Sequence, residues 1–532
     1  MHTEYAYPWL GREPEFSKID QVLEADVIVC GGGLAGVAAV RAAAEAGARV
    51  LLFEKCRTIQ GRSGQFAVMD GQTLKHWGLS FKALQEAAID SLWEASGKYA
   101  NREIIAYAVK HAGEDFDWYM DGAPEEHFCF SETAVTPAPE GTKLRLIPMR
   151  YPFNENYNPA DEENPVYPAT LMFAPSHIPV LKRNFALAEE TGLVEAHFAT
   201  PARKLLRDPE NGRITGVIAV AEDDSVIEAH ASAVILATGD FTGDRDMLRA
   251  FFPDYKDNPQ IPCGVAPDKK PANTGDGHRM GMWAGARLED TPPALNCHNM
   301  GGAMGVTPFL LLDNTGKRYM NEDVTGSDWE AALHRLPGEG AWQIFDSSWP
   351  EQIPYMPHGH GCCSHIVPEE LEGKVSNGPM DSFASRENLK QSVASGATLT
   401  ADTLEALVEK MGLPVETALA SLTRYNQDAE NGTDTEFGKR ASRLFPLTKA
   451  PFYASRITRA PLLCAHTGLE SDSSGRCLDG DGRPISGLYL AGNVQGGRFA
   501  ISYPTVLPGF SHTMALTYGR LTGRLAAETK IS

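Results

Sequence analysis

Apolar residues fall in short, β-branched runs separated by glycine turns and alanine-rich stretches, the patterning of a parallel sheet covered by helices. Residues 25–30 (ADVIVC) form one run, GGGLAG follows at once, and VAAVRAAAEAGA reads as a helix closed by Gly47. RVLLF makes a second strand that ends at Glu54. Near the other end of the chain GLYLAG reads as a strand entering a glycine turn, and SHTMALTYGRLTGRLAA as a helix with small residues on one face. Just upstream, two short strands are expected around Asp-Gly turns. Residues 121–175, rich in proline and acid, break the pattern and are expected to form an inserted loop region. A helix is expected over 400–411, started by Thr400 with Asp402 and Thr403 in its first turn. No repeat, low-complexity tract or membrane-length apolar stretch appears, and MHTEYAYPWLGREPEF lacks the basic and apolar regions of a secretory signal.

Composition narrows the class. The 532 residues are 42% apolar and 22% charged, an ordinary globular balance that excludes disordered, collagenous and coiled-coil chains. Sixty-nine acids against 48 bases give a net charge of −21, which argues against a nucleic-acid partner. Nine scattered cysteines without a repeated CxxC point to reduced thiols and a cytoplasmic protein. The segment PHGHGCCSH (357–365) matches no standard zinc spacing, and no metal is expected. Fifty glycines exceed the usual share of roughly 7% and need a use.

The first glycine turn supplies one. Gly31 permits a tight turn, Gly33 admits a pyrophosphate to the backbone, and Gly36 lets helix and strand pack closely. Leu34 and Ala35 open the helix whose N-terminus faces the phosphates, and Glu54 stands where a ribose hydroxyl is held. An adenine dinucleotide is therefore expected. Lys55 and the loop carrying Arg62, Ser63 and Gly64 suit a cofactor that extends past the pyrophosphate.

Seven ordered segments carry a resemblance: GGGLAG…FEK, PARKLLRDPENGRITGV, AVILATGDFTGDRDML, NTGDGHRMGMWAGA, GKRYMNE with TADTLEALVEKMGLP, RYNQDAENGTDTEFGK and GLYLAGN. With them the chain resembles the flavoprotein family of soluble fumarate reductases, succinate dehydrogenase flavoprotein subunits, urocanate reductases and 3-ketosteroid dehydrogenases. The resemblance implies an α/β fold, with a discontinuous Rossmann-like FAD-binding domain and an inserted α+β capping domain. The expected bounds are 20–285 for the first part of the FAD domain, 286–445 for the cap and 446–532 for the closing part. It implies FAD, held non-covalently because the loop QGRSGQFAVM lacks the histidine that relatives use for attachment, and His76 reads as a surface residue. Further cofactor contacts are expected at Ala202, Arg203, Ala237, Thr238, Gly239, Asp276, Gly492, Asn493 and Ser511.

The family's catalytic residues are partly replaced. Where fumarate reductases carry a proton-delivering arginine this chain has Gly326, and where they carry a carboxylate-binding arginine it has Tyr503. Fumarate is therefore not expected as substrate. Tyr503-Pro504 resembles the Tyr-Pro of 3-ketosteroid dehydrogenases, in which a tyrosine hydroxyl and a nearby glycine N–H, here Gly509, hold a ketone oxygen. His466 matches a substrate-facing histidine, and Arg498 is a further candidate for a charge or a proton. His298 ranks lower. The resulting expectation is reduction of a C=C bond conjugated to a carbonyl, as in a ketosteroid or phenolic enone or enoate. Hydride would come from flavin N5 while Tyr503 polarises the carbonyl. Two alternatives stay open: a ketosteroid-type dehydrogenase that introduces a double bond, and an electron-transfer flavoprotein subunit with no substrate of its own. No haem or iron–sulfur motif is present, so an external electron donor or acceptor is expected.

Overall fold

The computed structural model describes residues 7–124, 126–133, 135–151, 167–297, 299–324, 326–357, 361–373, 383–504 and 507–529. Its centre is a six-stranded sheet in the order Arg476–Leu478, Pro484–Leu490, Ala233–Leu236, Val27–Cys30, Val50–Phe53, Val194–His197. The last five run parallel, and Arg476–Leu478 is antiparallel to its neighbour. Every residue of Val27–Cys30, Val50–Phe53 and Ala233–Leu236 is buried, as their unbroken apolar runs require of strands covered on both faces.

Two distant segments make one layer over this sheet. Helix Leu34–Glu45 packs along helix Phe510–Glu528. A Cβ at Gly519 would stand 2.3 Å from the Ala35 carbonyl oxygen, and one at Gly523 would stand 2.4 Å from that of Ala39. The small-residue face of the last helix is thus what lets the two backbones touch. Gln21–Glu24, Val226–His230, Ile214–Val220 and Ala202–Arg207 form a second sheet in that order.

Three sequence expectations change. Residues 121–175 are not simply a loop region: Phe128–Phe130, Leu144–Tyr151 and Tyr167–Ala174 join Gln65–Ala67 in a four-stranded sheet. Alternating apolar positions, with Leu144, Leu146, Leu171 and Phe173 buried, drive it, and the surrounding proline and acid mask that alternation in composition. Thr398–Ala401 is a strand, so the helix expected over 400–411 is Leu404–Met411. Its cap is Thr403, whose side chain accepts the Ala406 N–H at 3.1 Å. Finally, the cap sheet runs Leu310–Leu312, Ala341–Asp346, Phe452–Ile457, Thr398–Ala401, so a domain boundary at 445–446 cuts through paired strands. Among the described residues no helix is long and apolar enough to cross a membrane.

Candidate active site

At the carboxyl ends of the parallel strands lies a cleft, open to solvent on one side. Gly31 to Gly33, Glu54, Lys55, Ala202, Ala237 to Gly239 and Asp276 line it together, from segments far apart in the chain. The glycines differ in what they do. Gly31 has φ 108° and a Cβ there would meet the Ala237 carbonyl oxygen at 2.4 Å, while at Gly36 it would meet that of Gly31 at 1.8 Å. A Cβ at Gly33, in the wall of the cleft, would meet nothing within 4 Å. Glu54 accepts the N–H groups of Gly32 and, at 2.6 Å, of Cys56. Lys55 ties the strand end to the turn before helix Asp276–Trp283, through the Thr274 hydroxyl at 2.6 Å and Asp276 at 3.0 Å. Against its own burial, Lys55 and Arg203 hold the Asp276 carboxyl below the usual range. The buried Thr238 hydroxyl has no partner. A glycine cradle with vacant flanking space, a carboxylate at the strand end and an unpaired hydroxyl fit the ADP portion of a dinucleotide.

A polar chain leads out of this cleft. Asn273, in its wall, donates to Asp240 at 2.9 Å, and Asn493 donates to the same oxygen at 3.4 Å. Asn493 in turn accepts from Arg498 at 2.8 Å. Arg498 is fully buried and donates again to the Ser511 carbonyl at 3.0 Å, in the first turn of helix Phe510–Glu528. The Ser511 N–H reaches the Tyr503 hydroxyl at 3.5 Å. Tyr503 stacks on His466 with ring centres 5.2 Å apart and planes 16° from parallel, and Phe499 closes the edge of both rings.

The chemistry of this group follows from burial. The Tyr503 phenol is pushed well above its ordinary pKa, so it stays a proton donor, and its oxygen already accepts from Ser511. Burial, then the positive charge of Arg498, drives His466 well below its usual range, so the ring is neutral. Burial also pushes the Cys464 thiol up to about 12. Its sulfur lies 3.3 Å from His466 Nε2, and with the thiol as donor the proton of the neutral ring stands on Nδ1. His466 Nδ1 is buried and has no partner in the protein.

The four expected catalytic residues lie close together in the fold, and Arg498, Tyr503 and His466 share this one polar and aromatic group. Gly509 has a plain packing reason to be glycine: its φ is 84° and a Cβ would stand 2.7 Å from the backbone of Gln65. Of the loop residues, Arg62 donates to the carbonyls of Ile261 and Leu463, Ser63 is exposed at φ 63°, and Gly64 packs against Phe173. Gly492 turns at φ 74° against Ala35. His76 is exposed and stacks on Phe130. His298 and residues 358–360 of the PHGHGCCSH segment lie outside the described residues, while Cys362 and Cys363 are buried around the Thr307 hydroxyl. Sequence reasoning missed Asp240, Asn273, Cys464 and Glu289. Glu289 is buried and accepts the N–H groups of Gly468 at 2.6 Å and Gly497 at 2.7 Å, which joins the loops that carry His466 and Arg498.

Position 326 has no room for an arginine. Gly326 begins a buried helix turn, and a Cβ there would stand 2.3 Å from the Asn299 carbonyl oxygen. The preceding Arg318 and Glu322 belong to the cap's interior, where Arg318 is held at 2.7 Å by both Glu322 and Asp434.

The chain is similar to known proteins along nearly its whole length. The chain is 27% identical over 531 residues to the vinyl phenol reductase of Lactiplantibacillus plantarum, covering 94% of this chain and 96% of that one. In structure it is similar to 3-ketosteroid-Δ4-(5α)-dehydrogenase from Rhodococcus jostii, with a TM-score of 0.68 at 24% identity over 96% of this chain and 98% of that one. It is also similar to a flavocytochrome c3 fumarate reductase, with a TM-score of 0.65 at 20% identity over 96% and 79% of the two chains. The FAD binding domain model matches residues 26–505, and the chain belongs to that family of FAD-dependent oxidoreductases.

Proposed function

We propose that this protein reduces a C=C bond conjugated to a carbonyl or phenolic oxygen, in a substrate that is not a dicarboxylate. The observation that carries the reading is a pair of buried polar groups on stacked rings, the Tyr503 hydroxyl and His466 Nδ1, with Tyr503 itself standing where the family resemblance expects a carboxylate-binding arginine. Bound FAD, once reduced by an external donor, would supply the hydride. Tyr503 holds a proton on the substrate oxygen where negative charge develops, and Ser511 orients the phenol from behind. His466 offers a second hydrogen bond, its tautomer set by Cys464. Phe499 excludes water from both rings. The name of the vinyl phenol reductase relative supports conjugated phenolic alkenes as the first class to test. The nine free thiols support a cytoplasmic setting, and electrons would come from an external donor.

Reoxidation of the reduced holoenzyme is the direct test. Under anaerobic conditions, 4-vinylphenol, enones and enoates are offered in turn. We expect rapid reoxidation by at least one of these, and a loss of about 10²–10³ in kcat in Tyr503→Phe with FAD retained. No reoxidation by any member, or full activity in Tyr503→Phe, sinks the reading. A second reading, desaturation of a saturated ketone, is favoured by the Tyr503-Pro504 pair and predicts bleaching of oxidised enzyme by that ketone instead.

A further inference from the structure

Arg498 is fully buried, yet every hydrogen-bond partner of its guanidinium is neutral: the Asn493 side-chain oxygen at 2.8 Å, and the Ser511 carbonyl at 3.0 Å and hydroxyl at 3.4 Å. Its Nε is buried without a partner. The nearby Glu289 does not bond to it. Both Glu289 oxygens are taken by the amides of Gly468 and Gly497, and burial pushes that carboxyl above its usual range. Asp240 stands one residue further off, behind Asn493, and is engaged by Thr242 and Asn273. The 19-residue helix Phe510–Glu528 adds positive character at the same point, and its first turn carries no acid. A buried cation left uncompensated costs several kcal/mol, so such a site is retained where a negative charge arrives during function.

We propose that Arg498 is the charge partner of the reduced cofactor: it stabilises the anion formed when FAD takes up two electrons and one proton, and so raises the reduction potential. The electrons come from an external reductant, FAD + 2e⁻ + H⁺ giving FADH⁻. Arg498 stands between the two groups: Asn493, Asp240 and Asn273 link it to the cofactor cleft, and Ser511 links it to Tyr503. The assignment to cofactor rather than substrate rests on the donors free to meet a substrate oxygen being on Tyr503 and His466, which leaves the charge of Arg498 for the cofactor side. The inference rests on family membership and stands apart from which alkene is reduced.

The test is the midpoint potential of the holoenzyme, measured without substrate by dithionite titration against a reference dye. The proteins are wild type, Arg498→Lys and Arg498→Met. In Arg498→Met we expect the equilibrium ratio of reduced to oxidised cofactor to fall at least tenfold at a given potential, about 30 mV for a two-electron couple. Arg498→Lys, which keeps the charge, recovers most of it. Should Arg498→Met fail to retain FAD, Arg498→Gln gives the same reading. An unchanged potential in the neutral variants, with or without a raised KM for substrate, overturns the proposal. A loss of kcat without a shift in potential also overturns it. Failure of the alkene panel leaves the potential measurement intact, so the two ideas fail separately.

Discussion

Arg318 and Arg498 are both removed from water, and their surroundings are opposite. Arg318, in the cap, meets Glu322 and Asp434 through four hydrogen bonds of 2.7 Å, and Lys439 stands 3.4 Å from Glu322. Although burial works the other way, Arg318 holds the Asp434 carboxyl well below its usual range. That network closes on itself. Arg498 meets only neutral oxygens and keeps one buried N–H unused. Gly36 and Gly33 repeat the contrast in backbone: the space a side chain would take is filled by Gly31 at the first and vacant at the second. Where the protein satisfies its own charge and fills its own space, the residue serves the fold. Where it stops short, the residue is set for a ligand.

The largest expected effect comes from the two arginines. Arg318→Met leaves two buried carboxylates facing each other and should lower the urea stability of the apoprotein by about 3–5 kcal/mol. Arg498→Met removes an unpaired buried charge and should not lower it, and should raise it by about 1–4 kcal/mol. Equal losses in the two variants would break the comparison at its root.

The glycine pair sharpens it on the cofactor side. Gly36→Ala drives a Cβ into a carbonyl and should cost the apoprotein about 1–3 kcal/mol. Gly33→Ala meets no protein atom, and its cost should stay within about 1 kcal/mol, as expected for alanine at a helix N-cap. FAD affinity, read by fluorescence titration, should nevertheless fall at least tenfold in Gly33→Ala. If Gly33→Ala binds FAD like the wild type, the vacant space belongs to something else.

The same division explains what was legible in the sequence. The glycine spacing at 31, 33 and 36 and the acid at 54 encode local backbone demands, and all four sit in the structure as local geometry requires. Tyr503 and His466 were reached through resemblance, and nothing local to either segment says that their rings stack. Asp240 was missed because its role exists only through Asn493, 253 residues away, and Glu289 because its partners are backbone amides of two loops. A boundary at 445–446 separates the strand Phe452–Ile457 from its partner for a related reason. Its pairing with Ala341–Asp346 is a long-range contact that leaves no mark in local composition. Gly326 was read as the loss of a catalytic arginine, and only the Asn299 carbonyl beside it shows that packing also demands the change.

A final effect, seen only as a change of slope with pH, concerns charges the fold refuses to accept. His177, fully buried, has its Nδ1 2.8 Å from the Tyr119 hydroxyl, and burial, then the neighbouring His512, lowers its pKa to about 3. Burial lowers His512 to about 4. In the unfolded chain both titrate near 6.5. Above that value neither state binds the proton and these rings do not affect stability. As pH falls from 6.5 toward 4 the unfolded chain takes up protons that the folded one does not, so stability falls, by about 1.4 kcal/mol per pH unit for each proton of difference. His177→Gln keeps a hydrogen bond to Tyr119 and removes one of those protons. Urea midpoints of the apoprotein between pH 7 and pH 4.5 should therefore fall less steeply in this variant, by up to one proton's worth of slope. An unaltered acid slope would mean that His177 accepts its proton inside the fold, and that its surroundings, like those of Arg498, leave a charge to be met from elsewhere.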